Sequence, residues 1–331
     1  MSTLELTLAC ESYDRVAALA SGAVRIEGCR ANVIPLHAEE LFLRTTSLHE
    51  FDVSELSLSS YMLATSRGGF PYVAIPVFLS RVFRHSAIYL NAGSGIAVPA
   101  DLRGKTVGVP EYQMTAALWA RGMLSDVYGV RSQDIRWRTG GLESPGRAEK
   151  IPLALPAGFD VRPIGSGQRL SGLLASGEID ALISARTPAC FGRVKTVTRL
   201  FPDYRAAERD YFRSTGLFPI MHVAVVRREL VSRHPWLPSS LFKAFAQAKA
   251  MSMRGLGEIG ALAVTLPWLV AEYEETVREM GPDYWPYGID RNRAALEAAV
   301  RYAEEQGLID RRLAVDELFA ACVDKDTDSL V

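Results

Sequence analysis

The sequence predicts an α/β chain folded as two lobes, and three observations lead there. Short apolar runs alternate with longer amphipathic ones, the pattern of strands feeding helices. The chain has 331 residues, enough to bury more than one core, so two domains are expected rather than one. Two extended stretches, near 83–91 and 216–226, flank a central α/β block, and each can carry the chain across between the same two lobes. Lobe one is then 1–91 plus 216–331, a discontinuous unit with the C-terminal helices, and lobe two is 92–215.

Each element follows from its own pattern. "LELTLA" (4–9) alternates as a strand does, and a helix runs from Tyr13 to Ala20. "ANVIPL" (31–36) and "FDVSELSLS" (51–59) read as strands, each followed by a helical stretch. "YVAIPVF" (72–78) and "SAIYLN" (86–91) are extended, and "GKTVGVP" (104–110) is a strand that ends on Pro110. In the helix that follows, Ala116, Trp119, Met123 and Val127 recur at helical spacing and predict a single apolar face. "IRWRT" (135–139), "IDALIS" (179–184) and "KTVTRLF" (195–201) continue the alternation. A long strand spans Leu217 to Val226, and helices are expected over 236–254, 268–280 and 291–306.

Composition narrows the function classes. Lys+Arg (37) and Asp+Glu (38) nearly cancel, so neither nucleic acid nor a membrane surface is favoured as a partner. No apolar run approaches the ~20 residues that span a bilayer. The start, "MSTLELTLACESYD", lacks a basic n-region and enters a strand at once, so a cytoplasmic protein is expected. Cys10, Cys29, Cys190 and Cys322 are far apart, which suits reduced thiols rather than a zinc site or disulfide framework. The glycine-rich "GSGQRLSG" (165–172) has neither dinucleotide nor P-loop spacing; it reads as a strand cap that opens a helix. His49-Glu50 has no second histidine at zinc-helix spacing, and no serine sits in a nucleophile elbow.

The positive signals are polar and aromatic residues at strand ends and in loops. Arg84 and His85 lie at the first crossing, and His222 interrupts the apolar strand "GLFPIMHVAVV" (216–226) at the second. Tyr112, Gln113 and Thr115 stand at a helix N-terminus, where free backbone N–H groups favour an anion. Arg147, in the loop "RTGGLESPGRAEK" (138–150), can fork a carboxylate. Arg186 follows a buried strand, at the end where open α/β sheets bind ligands. Trp285 and Tyr287, in "DYWPYG" (283–288), are spaced to flank a flat ring. Glu55, on "FDVSELSLS", either orients a histidine or stays buried and hydrogen-bonded. Together they describe a cleft for a small aromatic or carboxylate ligand.

Eight segments, among them "FDVSELSLSSYM", "FRHSAIYLN", "DLRGKTVGVPEYQMTAALWARGML", "WRTGGLESPGRAEK", "TGLFPIMHVAVVR" and "DYWPYG", run in order over about residues 4 to 320. In them the chain resembles the 4,5-dihydroxyphthalate decarboxylase family. The resemblance implies a type II periplasmic-binding-protein fold, with a ligand cleft between lobes joined by two crossing strands. It also implies loss of one carboxylate as CO2 from 4,5-dihydroxyphthalate, giving 3,4-dihydroxybenzoate. Such a reaction needs an acid at the ring carbon that loses CO2, a base near the para hydroxyl, and an anchor for the retained carboxylate.

Histidine suits both proton roles, since its ordinary pKa of ~6.5 lies near neutrality. His222 and His85 are therefore expected to face the cleft as acid and base, in an order the sequence leaves open. Arg147 and Arg186 are expected to bind carboxylate, with Arg84 in reserve; Gln113, Thr115 and Tyr112 would complete the anion site, and Trp285 and Tyr287 the ring walls. No cofactor is expected, and the alternative is a divalent metal on His85, His222 and a carboxylate. Homo-oligomers are compatible with the sequence. Two rival readings stay open: a cytoplasmic binding protein for an aromatic carboxylate without turnover, and a related enzyme acting on another aromatic acid.

Overall fold

Alternation of strand and helix runs through residues 3–320, which the computed structural model describes. The strands are, in chain order, β1 (Leu4–Cys10), β2 (Cys29–Pro35), β3 (Val53–Ser57), β4 (Tyr72–Arg81), β5 (Ile88–Asn91), β6 (Thr106–Val109), β7 (Arg136–Thr139), β8 (Asp160–Pro163), β9 (Ala181–Ile183), β10 (Val197–Arg199) and β11 (Ile220–Arg227). They form two sheets, one ordered β2-β1-β3-β11-β4 and the other β10-β5-β9-β6-β7-β8. In the first, β1, β2 and β3 are parallel, and β11 runs antiparallel between β3 and β4. In the second, β6, β7, β8 and β9 are parallel, β5 runs antiparallel beside β9, and β10 at the edge is antiparallel to β5 and so runs with the others. This is the two-lobed α/β fold that the sequence predicts.

The helices are α1 (Asp14–Ala20), α2 (Ala38–Leu43), α3 (Leu58–Ser66), α4 (Thr115–Tyr128), α5 (Leu170–Ser176), α6 (Tyr204–Thr215), α7 (Arg228–Arg233), α8 (Leu237–Arg254), α9 (Leu269–Met280) and α10 (Arg293–Glu305). Because helices cover both faces of the first sheet, all ten residues of β4 are buried and it reads as one apolar run. β8 and α6 carry few buried residues, and neither is among the elements expected from the sequence. β3 ends at Ser57, earlier than expected, because the chain turns directly into α3.

Chain crosses between the sheets at 82–87 and again at 200–219, and the two crossings touch where Val82 N donates to Pro219 O at 3.2 Å. Buried Arg81 fixes that point: Nη1 donates to Phe218 O at 3.1 Å, and Nη2 to Pro286 O at 2.9 Å and to the Asn292 side chain. Residues 88–91, assigned above to the first lobe, pair with β9 and β10 in the second sheet.

α4 leaves the second sheet yet packs on α3, β11 and α10, so it joins the two halves. The single apolar face expected for it is too narrow a description. Its first ten residues are all buried, Arg121 among them, and Val127 of the expected face is 46% exposed. Trp119 Nε1 donates to Ile220 O at 2.9 Å, pinning the start of β11. Gly122 lets Tyr302 of α10 lie against the helix, for a Cβ there would stand 2.3 Å from the tyrosine ring. Alanine is intrinsically better than glycine in a helix by about 1 kcal/mol. Overpacking outweighs that gain here, so Gly122→Ala should destabilise the protein by about 1–3 kcal/mol. A urea melt checks this: the midpoint should fall, and an unchanged or higher midpoint would contradict the packing.

Candidate active site

β11 is apolar except at one position, and its neighbours are polar at the same level. His222 stands opposite Ser57 on β3 and Ser80 on β4. The β4 register shifts on both sides of that pairing, a bulge of the kind that re-aims side chains beside sites. Carbonyls in the bulged stretch find outside donors: Pro76 O accepts from Gly288 N at 2.9 Å, Phe78 O from Trp285 Nε1 at 2.9 Å, and Leu79 O from Arg15 Nε at 2.6 Å.

Below the histidine lies Glu55, fully buried on β3 and two residues from Ser57, hence on the same face of the sheet. His222 Nδ1 is 2.6 Å from Glu55 Oε1. That oxygen also accepts from the Tyr13 hydroxyl at 2.8 Å, and Oε2 accepts from Glu11 N at 2.9 Å. Burial pushes the Glu55 carboxyl up, but the bonds from His222, the Glu11 amide and Tyr13 outweigh it and hold it below the usual carboxylate range. An ionised carboxylate only accepts, so His222 donates through Nδ1 and keeps Nε2 free. Phe42 packs edge-on to the ring, with centroids 4.8 Å apart.

His222 lines a cavity of about 310 Å³ with Ser57, Ser60, Ser80 and Thr115. Ser57 Oγ and Thr115 Oγ1 are 2.7 Å apart, and Thr115 Oγ1 accepts from Ser59 N at 3.0 Å. The first turn of α4, which has no side-chain cap, turns Thr115 and Ala116 to the same space. Four cationic side chains, Arg84, Arg147, Lys150 and Arg186, complete the wall. Arg147 donates to Glu111 Oε1 through Nε (2.8 Å) and Nη2 (2.6 Å), and to Glu39 Oε1 through Nη1 (2.8 Å). Lys150 also pairs with Glu111, and Arg186 Nη2 with Glu39 Oε1 at 3.0 Å. Arg84 differs from these. Its Nε donates to Met221 Sδ at 3.2 Å, and among the described residues it forms no ion pair. Burial lowers its pKa to about 10, which leaves it cationic at neutral pH.

The structure thus brings His222, Arg84, Arg147, Arg186 and Thr115 together, with Glu55 directly behind. Other expected members lie elsewhere. His85 begins a short 3₁₀ turn and is buried away from the cavity, its ring between Phe201 (5.0 Å) and Tyr211 (5.4 Å) and neither nitrogen hydrogen-bonded to the protein. Gln113 is turned inward, where Nε2 donates to Glu149 Oε2 (2.9 Å) and Ile151 O (2.8 Å). Tyr112 is a core residue, its hydroxyl bonded to Ser132 Oγ at 2.6 Å and its ring under Arg121. Trp285 serves the β4 bulge, and Tyr287 is fully buried beside Lys249; neither ring walls the cavity. The metal alternative needs His85 beside His222, which this placement prevents, and no group of three or more His, Cys, Asp or Glu among the described residues is arranged to hold a metal.

Sequence reasoning missed Tyr13, Glu11, Glu39 and the serines. Tyr13 and Glu11 follow β1 directly, so the strand-end rule that found Arg186 applies to them too. Ser57, Ser59 and Ser60 in a buried stretch were a visible polar anomaly.

Fold and site define a class: a two-lobed protein of the periplasmic-binding-protein type whose cleft holds a carboxylate-backed histidine facing several cations. The periplasmic aliphatic sulphonate binding protein SsuA of Escherichia coli shares the fold, with TM-score 0.53 and 13% identity over 96% of this chain and 97% of that one. So does a Candida albicans protein described as exhibiting the generic periplasmic binding protein fold, with TM-score 0.51 and 10% identity over 99% and 100% of the chains. No family model matches the chain. Relatives do: 4,5-dihydroxyphthalate decarboxylase of Comamonas testosteroni is 44% identical over 320 residues, 96% of this chain and 97% of its own length. The enzyme of that name from Pseudomonas putida is 44% identical over 216 residues, 65% of this chain and 83% of its own. The chain belongs to the 4,5-dihydroxyphthalate decarboxylase family.

Since His85 is held neutral in an apolar box, burial lowers its pKa from 6.5 to about 4. The unfolded chain then binds a proton that the folded one refuses between those values, so stability falls as pH drops from 6.5 to 4, by about 3 kcal/mol. Urea midpoints across this range should decline in the wild type and decline distinctly less in His85→Phe; parallel curves would contradict the placement.

Proposed function

We propose that this chain is an enzyme that decarboxylates 4,5-dihydroxyphthalate to 3,4-dihydroxybenzoate without oxidation. The observation that carries the reading is the Glu55–His222 pair opening into a cationic cavity. Family membership supplies the substrate, and the pair supplies the proton donor that a mere receptor would not need.

Charge movement assigns the roles. Protonation of the ring carbon that bears the departing carboxylate, with loss of the para phenolic proton, gives a non-aromatic dienone. The C–C bond then breaks, CO2 leaves, aromaticity returns, and the electron pair ends on the para oxygen. His222 delivers the proton from Nε2, while Glu55 stabilises the imidazolium that precedes transfer. Glu11 lines the cavity with no ion pair among the described residues, and it receives the phenolic proton in place of His85. Arg84, which forms no ion pair among the described residues, faces the para oxygen where charge develops rather than the carboxylate where it is lost. Arg147 and Arg186 hold the retained carboxylate. Residues of the first crossing and from beside both sheets contribute, so closing the lobes assembles the site and excludes water.

The described cysteines, Cys10, Cys29 and Cys190, are unpaired, which suits a reducing compartment, and no helix among the described residues is long and apolar enough to cross a membrane. The reading sets the enzyme in the cytoplasm, acting on a small aromatic substrate.

Purified protein should release CO2 from 4,5-dihydroxyphthalate. His222→Asn should lose about 10²- to 10⁴-fold in kcat with substrate affinity within a few fold; wild-type turnover in that variant would remove its role. Tight binding without CO2 release would make the protein a receptor. Arg84→Gln should lower kcat by about 10²- to 10³-fold, whereas Arg186→Gln should mainly raise KM. If Arg84→Gln raised only KM, the arginine would be a ground-state anchor instead.

A further inference from the structure

Two cavities meet at one charged cluster. Outside the 310 Å³ cavity lies a second of about 400 Å³, between Leu43 at the end of α2 and the 141–148 loop. The residues that line both are Glu39, Glu111, Arg147, Lys150 and Arg186, every one charged. Four of them follow strands of the second sheet: Glu111 after β6, Arg147 and Lys150 between β7 and β8, and Arg186 after β9. Glu39 alone comes from α2, beside the first sheet.

The two carboxylates of this cluster are held unequally. Glu111 is 3% exposed and its Oε1 takes both Arg147 and Lys150, so it is a fixed part of the wall. Glu39 is 41% exposed, and one oxygen, Oε1, accepts from Arg147 Nη1 at 2.8 Å and Arg186 Nη2 at 3.0 Å. A single carboxylate oxygen shared by two guanidinium groups is what a ligand carboxylate would offer the same arginines. Half-exposed ion pairs are weak, so exchanging Glu39 for another carboxylate is cheap. The charge count agrees: four cations line the inner cavity against Glu11, Glu39 and Glu111, and without Glu39 the excess of two matches a dicarboxylate.

We propose that Glu39 is a built-in stand-in for the substrate's carboxylate: it occupies Arg147 and Arg186 between the outer and inner cavities until an aromatic carboxylate displaces it. Glu39 is then a specificity-determining residue. A neutral ring gains nothing from displacing it, whereas a carboxylate replaces each contact it removes. The proposal rests on Arg147 and Arg186 being the carboxylate anchor.

Calorimetric titration of wild type and Glu39→Gln with phthalate, 3,4-dihydroxybenzoate and catechol tests it without requiring turnover. Phthalate and 3,4-dihydroxybenzoate should bind Glu39→Gln about tenfold more tightly, because a neutral amide competes less well for the arginines. Catechol, with the hydroxyls and no carboxylate, should change less than about twofold. In an Arg186→Gln background most of the carboxylate gain should vanish. Unchanged or weaker carboxylate binding, an equal shift for all three ligands, or no measurable phthalate binding by either protein would overturn the proposal. Failure of the enzyme reading looks different: no CO2 from 4,5-dihydroxyphthalate, with carboxylates still tighter on Glu39→Gln.

Discussion

A fully buried carboxylate that stays ionised is the constraint on which the site depends. Glu55 is tolerated in the centre of the first sheet because its oxygens accept from His222, Tyr13 and the Glu11 amide. Those donors come from β11 and from the turn after β1, so the bonds can form only when β3 has both strands in register. Satisfying one buried charge thereby fixes the imidazole, positions Tyr13 and Glu11 at the cavity wall, and leaves Nε2 as the free nitrogen. The β4 bulge is the price on the other side of His222, and Trp285, Arg15 and Gly288 take up the carbonyls it strands.

Around this pair, charge is distributed by how firmly each cation is occupied. Glu111 holds Arg147 and Lys150 from the buried side, whereas Glu39 holds Arg147 and Arg186 from the open side. Arg84 forms no ion pair among the described residues and sits at the crossing next to the histidine strand. A gradient from occupied to vacant cations leads from the outer cavity to the proton donor. It suits a substrate that arrives as a dianion and must lose charge from one position while gaining it at another.

The fold class was legible because strand and helix periods alternate cleanly, and family resemblance then extended over nearly all of the chain. What the sequence hid were elements with little to bury, such as β8 and α6, and the sheet that the strand after the first crossing joins. Within the site, His222 was legible as a polar residue in an apolar strand. His85 gave the same kind of signal and proved to be a buried neutral residue. Period-2 alternation fixes direction inside a strand, but the 3₁₀ turn after β4 rotates adjacent side chains, so Arg84 enters the cavity and His85 leaves it. Trp285 looked like a ring wall because the bulge it supports is a register shift, which leaves no mark in local composition.

The central claim is the state of His222, and ¹⁵N-histidine NMR reports it directly. With His222 assigned by its loss in His222→Asn, the account predicts a ring that keeps a proton on Nδ1, a strongly downfield Nδ1 proton that disappears in Glu55→Gln, and an Nε2 resonance that moves when phthalate is added. A ring whose single proton sits on Nε2 with Nδ1 bare, or an Nε2 signal indifferent to the ligand, would contradict it.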